Sequence, residues 1–273
     1  MRLLCSCIAI ACAGVSVGSC RVSHVVTVRT CVVKGAVNPE NRSDSIGVAT
    51  SAVALASKTW VPHGIGFVAP FDPALIDDPL IPVNEKSGDM VGSEGYGNDD
   101  TAALEKACHD AWAVRGYGEG VQAGLMVVFV RNILNTGQHG FSTRLTVYDS
   151  QGKNCLKPYS FTDHDVAGHW SFVETVDDNK ARSIELIGNT VAHELGHQLL
   201  VRHGDGKDND LDGLWDLGCD DEAALELAAL PAGQSTPLMW PTGEDPNATY
   251  ISPLQAEVAS AAVKLLEQAG LAN

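Results

Sequence analysis

Basic side chains are scarce in this chain. Its 18 Lys and Arg stand against 34 Asp and Glu, a formal net charge of −16. A nucleic-acid partner or an anionic membrane surface would need a cationic face, so this balance argues against both. Long apolar runs are lacking too. Beyond the first 19 residues no stretch reaches the roughly 20 apolar residues of a transmembrane helix. Internal repeats and low-complexity linkers are also missing. What remains is an ordinary globular composition, 45% hydrophobic and 19% charged over 273 residues, enough for one substantial domain or two small ones.

The N-terminus reads as an export signal. Arg2 gives a minimal positive start, and LLCSCIAIACAGV is apolar but short for a membrane span. VGSC at 17–20 resembles the bacterial lipobox, whose cysteine is lipidated and becomes the new N-terminus. A conventional cut after Ala13 or Ser19 is the alternative. Cysteine parity favours the first. Cys5, Cys7 and Cys12 leave with the signal, and a lipid on Cys20 leaves Cys31, Cys108, Cys155 and Cys219. That even set suits two disulfides in an oxidising compartment, with three pairings open. The expectation is a secreted, cell-surface or periplasmic monomer, touching a membrane only through an anchor at Cys20.

Residues 1–19 are therefore read as signal, 20–44 as an N-terminal extension ending in the turn-rich NPENRSDS, and 45–273 as the main domain. The valine-rich VSHVVTVRTCVV predicts a strand. SIGVATSAVALASKTW predicts a helix capped by Asp44 or Ser45. GIGFVAP, GLMVVFVRNIL and GHWSFVETV predict further strands, and residues 72–100 a loop. TAALEKACHDAWAV predicts a helix capped by Thr101. Another helix is expected from about Lys180, with Ile184, Ile187, Val191, Leu195 and Leu199 as its apolar stripe. Near the C-terminus Ser252, Pro253 and Gln255 form a capping pattern for a last helix with Leu254, Val258, Ala261, Leu265 and Leu266 buried. Strands early and long helices late predict the α+β class.

HELGHQLLVRH, residues 193–203, carries the chemistry. A helix turns about 100° per residue, so His193 and His197 lie about 40° apart and one turn from each other. Both imidazoles can reach one zinc ion. Glu194 points away from the ligand pair and can act as general base on a water that the metal acidifies. His203 lies about 240° round from His197, so it reaches the ion only if the helix stops near residue 200 and the chain turns back. Glycine would ease that turn, but the position holds Leu200.

This segment resembles the metzincin zinc peptidases, whose signature is HExxHxxGxxH followed by a methionine turn. The match is at His193, Glu194, His197 and His203, and the departure is at Leu200. TPLMWPTG at 236–243 is similar to the matrixin form of the turn. The resemblance covers about 50 residues. It implies a metzincin-like zincin fold with a twisted mixed sheet, an active-site helix and a C-terminal helix, so that 45–273 is the catalytic domain. It also implies His203 as third ligand, Met239 as an apolar floor, and Trp240, Pro241 and Thr242 as the wall of a substrate pocket.

Other constellations complete the reading. Asp208, Asp210, Asp212 and Gly213 begin like a calcium loop, with Asp216 at its ninth position and Cys219 where a bidentate glutamate would stand. A gluzincin-type site with Glu222 or Glu226 as third ligand is the rival assignment. His164, Asp165 and His169 read as a polar surface loop, and Cys31 as a disulfide partner rather than a latency thiol. The activity expected is zinc-dependent endoproteolysis of protein or peptide substrates, with calcium as a second ion. A calcium-stabilised, non-catalytic surface binding protein is the alternative from another class.

Overall fold

The fold comes from a computed structural model, which describes residues 22–33, 35–36, 45–76, 90–91, 99–116, 125–134, 139–143, 170–177, 180–199, 238–239, 248–251 and 253–268. It is mixed α/β, with helices packed on a mixed sheet.

β1, His24–Val33, is the centre of that sheet. Its run from Val28 to Val33 is buried at every residue, as a strand covered on both faces must be. It pairs in parallel with β2 (Ile65–Val68), with β3 (Ala74–Ile76) and with β5 (Leu125–Val130). β5 pairs in parallel with β8 (Trp170–Glu174), and β8 pairs antiparallel with β7 (Gly140–Thr143), which ends the strand order β2-β1-β5-β8-β7. Residues 24–33, within the expected N-terminal extension at 20–44, form the strand that the five others join, directly or through β5.

α1 runs from Ser45 to Trp60, as its sequence implies, and links β1 to β2 by a parallel crossover. Residues 72–100 are not all loop. They contain β3 and the two-residue β4 (Met90–Val91), which pairs with β6 (Ile133–Leu134). Such short strands are set by their partners and leave no periodicity to read. α2 spans Asp99–Ala113, so Thr101 sits within it rather than capping it.

β9 (Val176–Asp177) and β10 (Lys180–Ala181) form a small antiparallel ladder, which delays α3 to Ile184–Gln198. Ser183 is its N-cap and accepts a hydrogen bond from the Leu186 N–H at 3.3 Å. Ile187, Val191, Leu195 and Leu199 are buried as the stripe requires. α4, Pro253–Gln268, buries Leu266 and packs Val258 against the core as expected, but it exposes Ala261 and buries Ala259, Ala262 and Val263 instead. No helix among the described residues is long and apolar enough to cross a membrane.

The strand registers assign the two faces of the sheet, because alternate residues point to opposite sides. Thr30, Val127, Ser171 and Ser142 share a row, and Ser171 meets α3 through Gln198. Cys31, Val128, Phe172 and Phe141 share the opposite row, on the side where Cys31 meets Cys108 of α2. One face therefore supports α3, and the other supports α2.

Candidate metal centre

On α3 the two motif histidines converge. Their rings are nearly perpendicular, with centroids 4.7 Å apart, and their Nε2 atoms stand 3.0 Å from each other. Two nitrogens about 2.05 Å from a tetrahedral zinc would be roughly 3.3 Å apart, so the pair is preformed to within a few tenths of an ångström. The tautomer follows from the other ring nitrogen. His193 Nδ1 lies 2.8 Å from the Leu238 carbonyl oxygen, which can only accept, so Nδ1 carries the proton and Nε2 keeps its lone pair. Burial pushes the His193 pKa below its ordinary value, against the opposing pull of that carbonyl. The neutral imidazole is the ligand form.

Met239, fully buried beside Leu238, packs against Gly196 of the motif. It explains a glycine inside the motif. A Cβ on Gly196 would lie 2.8 Å from Met239 Sδ and 3.1 Å from Trp60 Cζ2, so the methionine side chain would have to shift. Trp60 also donates its indole N–H to the Ala192 carbonyl at 3.0 Å, tying the end of α1 to α3. Leu238 in turn is fixed by its N–H bond to the Tyr250 carbonyl at 2.8 Å.

Glu194 is 3% exposed, and β7 covers its carboxylate. A Cβ on Gly140 would meet Glu194 Oε1 and Thr190 Cγ2 at 2.7 Å each, so only glycine lets the strand lie this close. Ser142 Oγ lies 2.7 Å from Glu194 Oε2 and 2.7 Å from Ser171 Oγ. The direction of this chain is determined. Gln198 Nε2 donates to the Met126 carbonyl at 3.0 Å, which fixes its amide orientation, and its second N–H goes to Ser171 Oγ. Ser171 then donates to Ser142, whose hydroxyl faces the Glu194 carboxylate at 2.7 Å and the Glu194 backbone carbonyl at 3.0 Å. Each bond polarises the next toward Glu194.

α3 ends at Gln198, with Leu199 as its C-cap at φ −88°. The helix thus stops before residue 200, the condition a third ligand from beyond it needs, and its cap does so without a left-handed residue. His203 itself lies outside the described residues. So do Asp208, Asp210, Asp212 and Asp216, Glu222 and Glu226, Trp240, Pro241 and Thr242, Cys20, and the set His164, Asp165 and His169. Among the described residues no group of three His, Cys, Asp or Glu side chains is placed to hold a metal. No protein-family model matches the chain, and no curated protein matches it.

Sequence reasoning missed Ser142, Ser171, Gln198 and Gly140. Gln198 stands at an unspecified position of the motif, and two of the others are ordinary serines on short strands. Gly196 was legible as a glycine within HELGH, but its reason, the sulfur of Met239, lies 43 positions away.

Proposed function

We propose that this chain is a zinc-dependent endopeptidase of metzincin type that hydrolyses peptide bonds of extracellular proteins. His193 and His197 hold the metal with His203, and Glu194 is the general base. The observation that carries the reading is the convergence of two imidazole Nε2 atoms at 3.0 Å, next in sequence to a held carboxylate. A zinc ion bound there supplies Lewis acidity, polarising a carbonyl and lowering the pKa of a water towards about 7.

The protein's own groups do the rest. His193 is oriented by its Nδ1–H bond to Leu238, which keeps its ring aimed at the site. Glu194 removes a proton from the attacking water and returns it to the departing amine. Ser142 holds that carboxylate in a defined rotamer. Among the described residues β7 ends the sheet order, and in this reading its outer edge receives an extended peptide by main-chain pairing. Peptide laid there would run beside the strand whose Gly140 and Ser142 touch Glu194. In the same reading Trp240, Pro241 and Thr242 wall the pocket, calcium binds at Asp208, Asp210, Asp212 and Asp216, and the chain is exported.

The test is direct. Purified protein holds about one zinc and cleaves casein or gelatin until a chelator is added. Glu194→Ala keeps the zinc while the rate falls by about 10²–10⁴-fold. Wild-type protein that retains zinc and cleaves nothing would instead identify a binding module.

A further inference from the structure

Before the start of β7 lies a cavity of about 250 Å³ that the proposed chemistry leaves unused. Among the described residues its lining includes His139, Asp177, Lys180, Arg182, Ser183 and Leu186. We propose that this cavity is a substrate subsite for an acidic side chain, Asp or Glu, three or four residues from the cleaved bond. The inference rests on the peptidase reading and on peptide pairing along β7.

Position comes from two independent paths. Leu186, Thr190 and Glu194 are spaced four apart and so follow one side of α3. Thr190 Cγ2 and Glu194 Oε1 both lie against Gly140, 2.7 Å from where its Cβ would be. Leu186 precedes Glu194 by eight residues, a helical rise of about 12 Å. Along β7 the length is similar, since His139 lines the cavity and Ser142, three residues on, contacts Glu194. An extended peptide advances about 3.3 Å per residue, so three or four residues span the gap.

Charge and size set the ligand. Arg182 donates from Nη1 to the Glu174 carbonyl at 3.0 Å and from Nη2 to Thr190 Oγ1 at 3.1 Å. Those two acceptors are neutral, so these bonds hold the guanidinium in place without cancelling its charge. Lys180 is exposed and pairs by backbone with the exposed Asp177 across the β9–β10 ladder. Asp177 offsets one of the two cations and leaves the other in excess. Glu174 is buried, lies 2.8 Å from His139 Nδ1 through Oε2, and is not part of the lining. The net charge of −16 resides mostly elsewhere, and exposed charges beyond about 8 Å are screened at physiological salt. A volume of about 250 Å³ is below the roughly 300–1,000 Å³ of pockets that enclose a whole ligand. It fits one side chain entering from a peptide laid outside, with Leu186 against its methylene stem.

The experiment compares two peptide pools, identical except for Glu or Gln at one fixed position. Both ends are capped, so that no terminal carboxylate competes. Zinc-loaded wild type should cut the Glu pool three or four residues from the glutamate. It should favour Glu over Gln in kcat/KM by roughly three- to tenfold, the worth of a partly exposed ion pair. Lys180→Glu should bring that ratio to one or below, and Asp177→Asn should raise it. The ratio is internal to each variant, so a loss of folded protein does not imitate the effect. Fluorescence anisotropy on Glu194→Ala repeats the comparison without turnover. Equal rates for the two pools, cuts at no fixed distance from the glutamate, or a ratio that Lys180→Glu leaves unchanged would overturn the subsite. Should wild type cleave neither pool, the peptidase reading falls and anisotropy decides the cavity separately. A Glu preference that Lys180→Glu abolishes then sustains the acidic site, whereas equal affinity or no binding overturns it.

Discussion

The two faces of one sheet are built on different principles. Under α3 the row Ser142, Ser171 and Gln198 is polar, buried and connected, and it terminates on Glu194. Under α2 the facing positions are mostly sulfur and aromatic, Cys31 and Met126, with Phe141 stacked on Phe172 at 4.9 Å, and one buried cation, Arg29, 5.7 Å over the Trp112 ring of α2. Met126 serves both sides, its carbonyl accepting from Gln198 and its sulfur from Cys31. A polar row inside a core costs desolvation that a hydrocarbon would not. Stability alone would not select it. In the proposed function its contact with the carboxylate gives that face to chemistry and the other to cohesion.

The comparison breaks if activity and stability do not separate along it. The largest effect on stability is expected at Phe172→Ala. This side chain is 0% exposed, and its removal should cost about 3–5 kcal/mol. Chemical denaturation would measure that loss, while kcat per folded molecule, counted by zinc content, stays at the wild-type value. A large fall in kcat at constant zinc would mean that the α2 face also shapes the site.

Gly196→Ala comes next, on the α3 side. Its new Cβ presses on Met239 Sδ at 2.8 Å, and overpacking of this kind costs about 1–3 kcal/mol. The strain falls on the segment that orients His193 through Leu238, so zinc affinity should drop together with the melting temperature. Met239→Ala in the same chain should relieve part of the strain, visible as a non-additive double-mutant cycle. Additive losses would show that Met239 does not pack there.

How much was legible follows from what each feature depends on. α1 is a local pattern, and its bounds were read correctly at both ends. The His193–Glu194–His197 arrangement is local too, because one helical turn fixes it. β1 was read as a strand, yet its place at the centre of the sheet was not, since that depends on partners at 65–68, 74–76 and 125–129. The start of α3 was placed too early, because Lys180 and Ala181 pair backwards with Val176 and Asp177 instead of continuing forwards. Leu238 and Met239 were found through a resemblance. What they do for His193 and Gly196 became visible only in three dimensions.

The smallest expected effect is the most discriminating. Ser142→Ala removes one hydroxyl, about 1 kcal/mol of net hydrogen bonding, and leaves Ser171 without its acceptor. If Ser142 only fills space, kcat/KM should follow stability and change little. If it holds Glu194 for proton transfer, kcat should fall by about tenfold with KM unchanged, because the lost interaction acts on the base and not on substrate binding. Ser142→Thr separates the two further. It restores the donor on the same strand, so it should recover kcat even where the added methyl lowers the melting temperature. A threonine variant as slow as the alanine one would detach the serine from the catalytic carboxylate and leave the polar row without the role assigned to it.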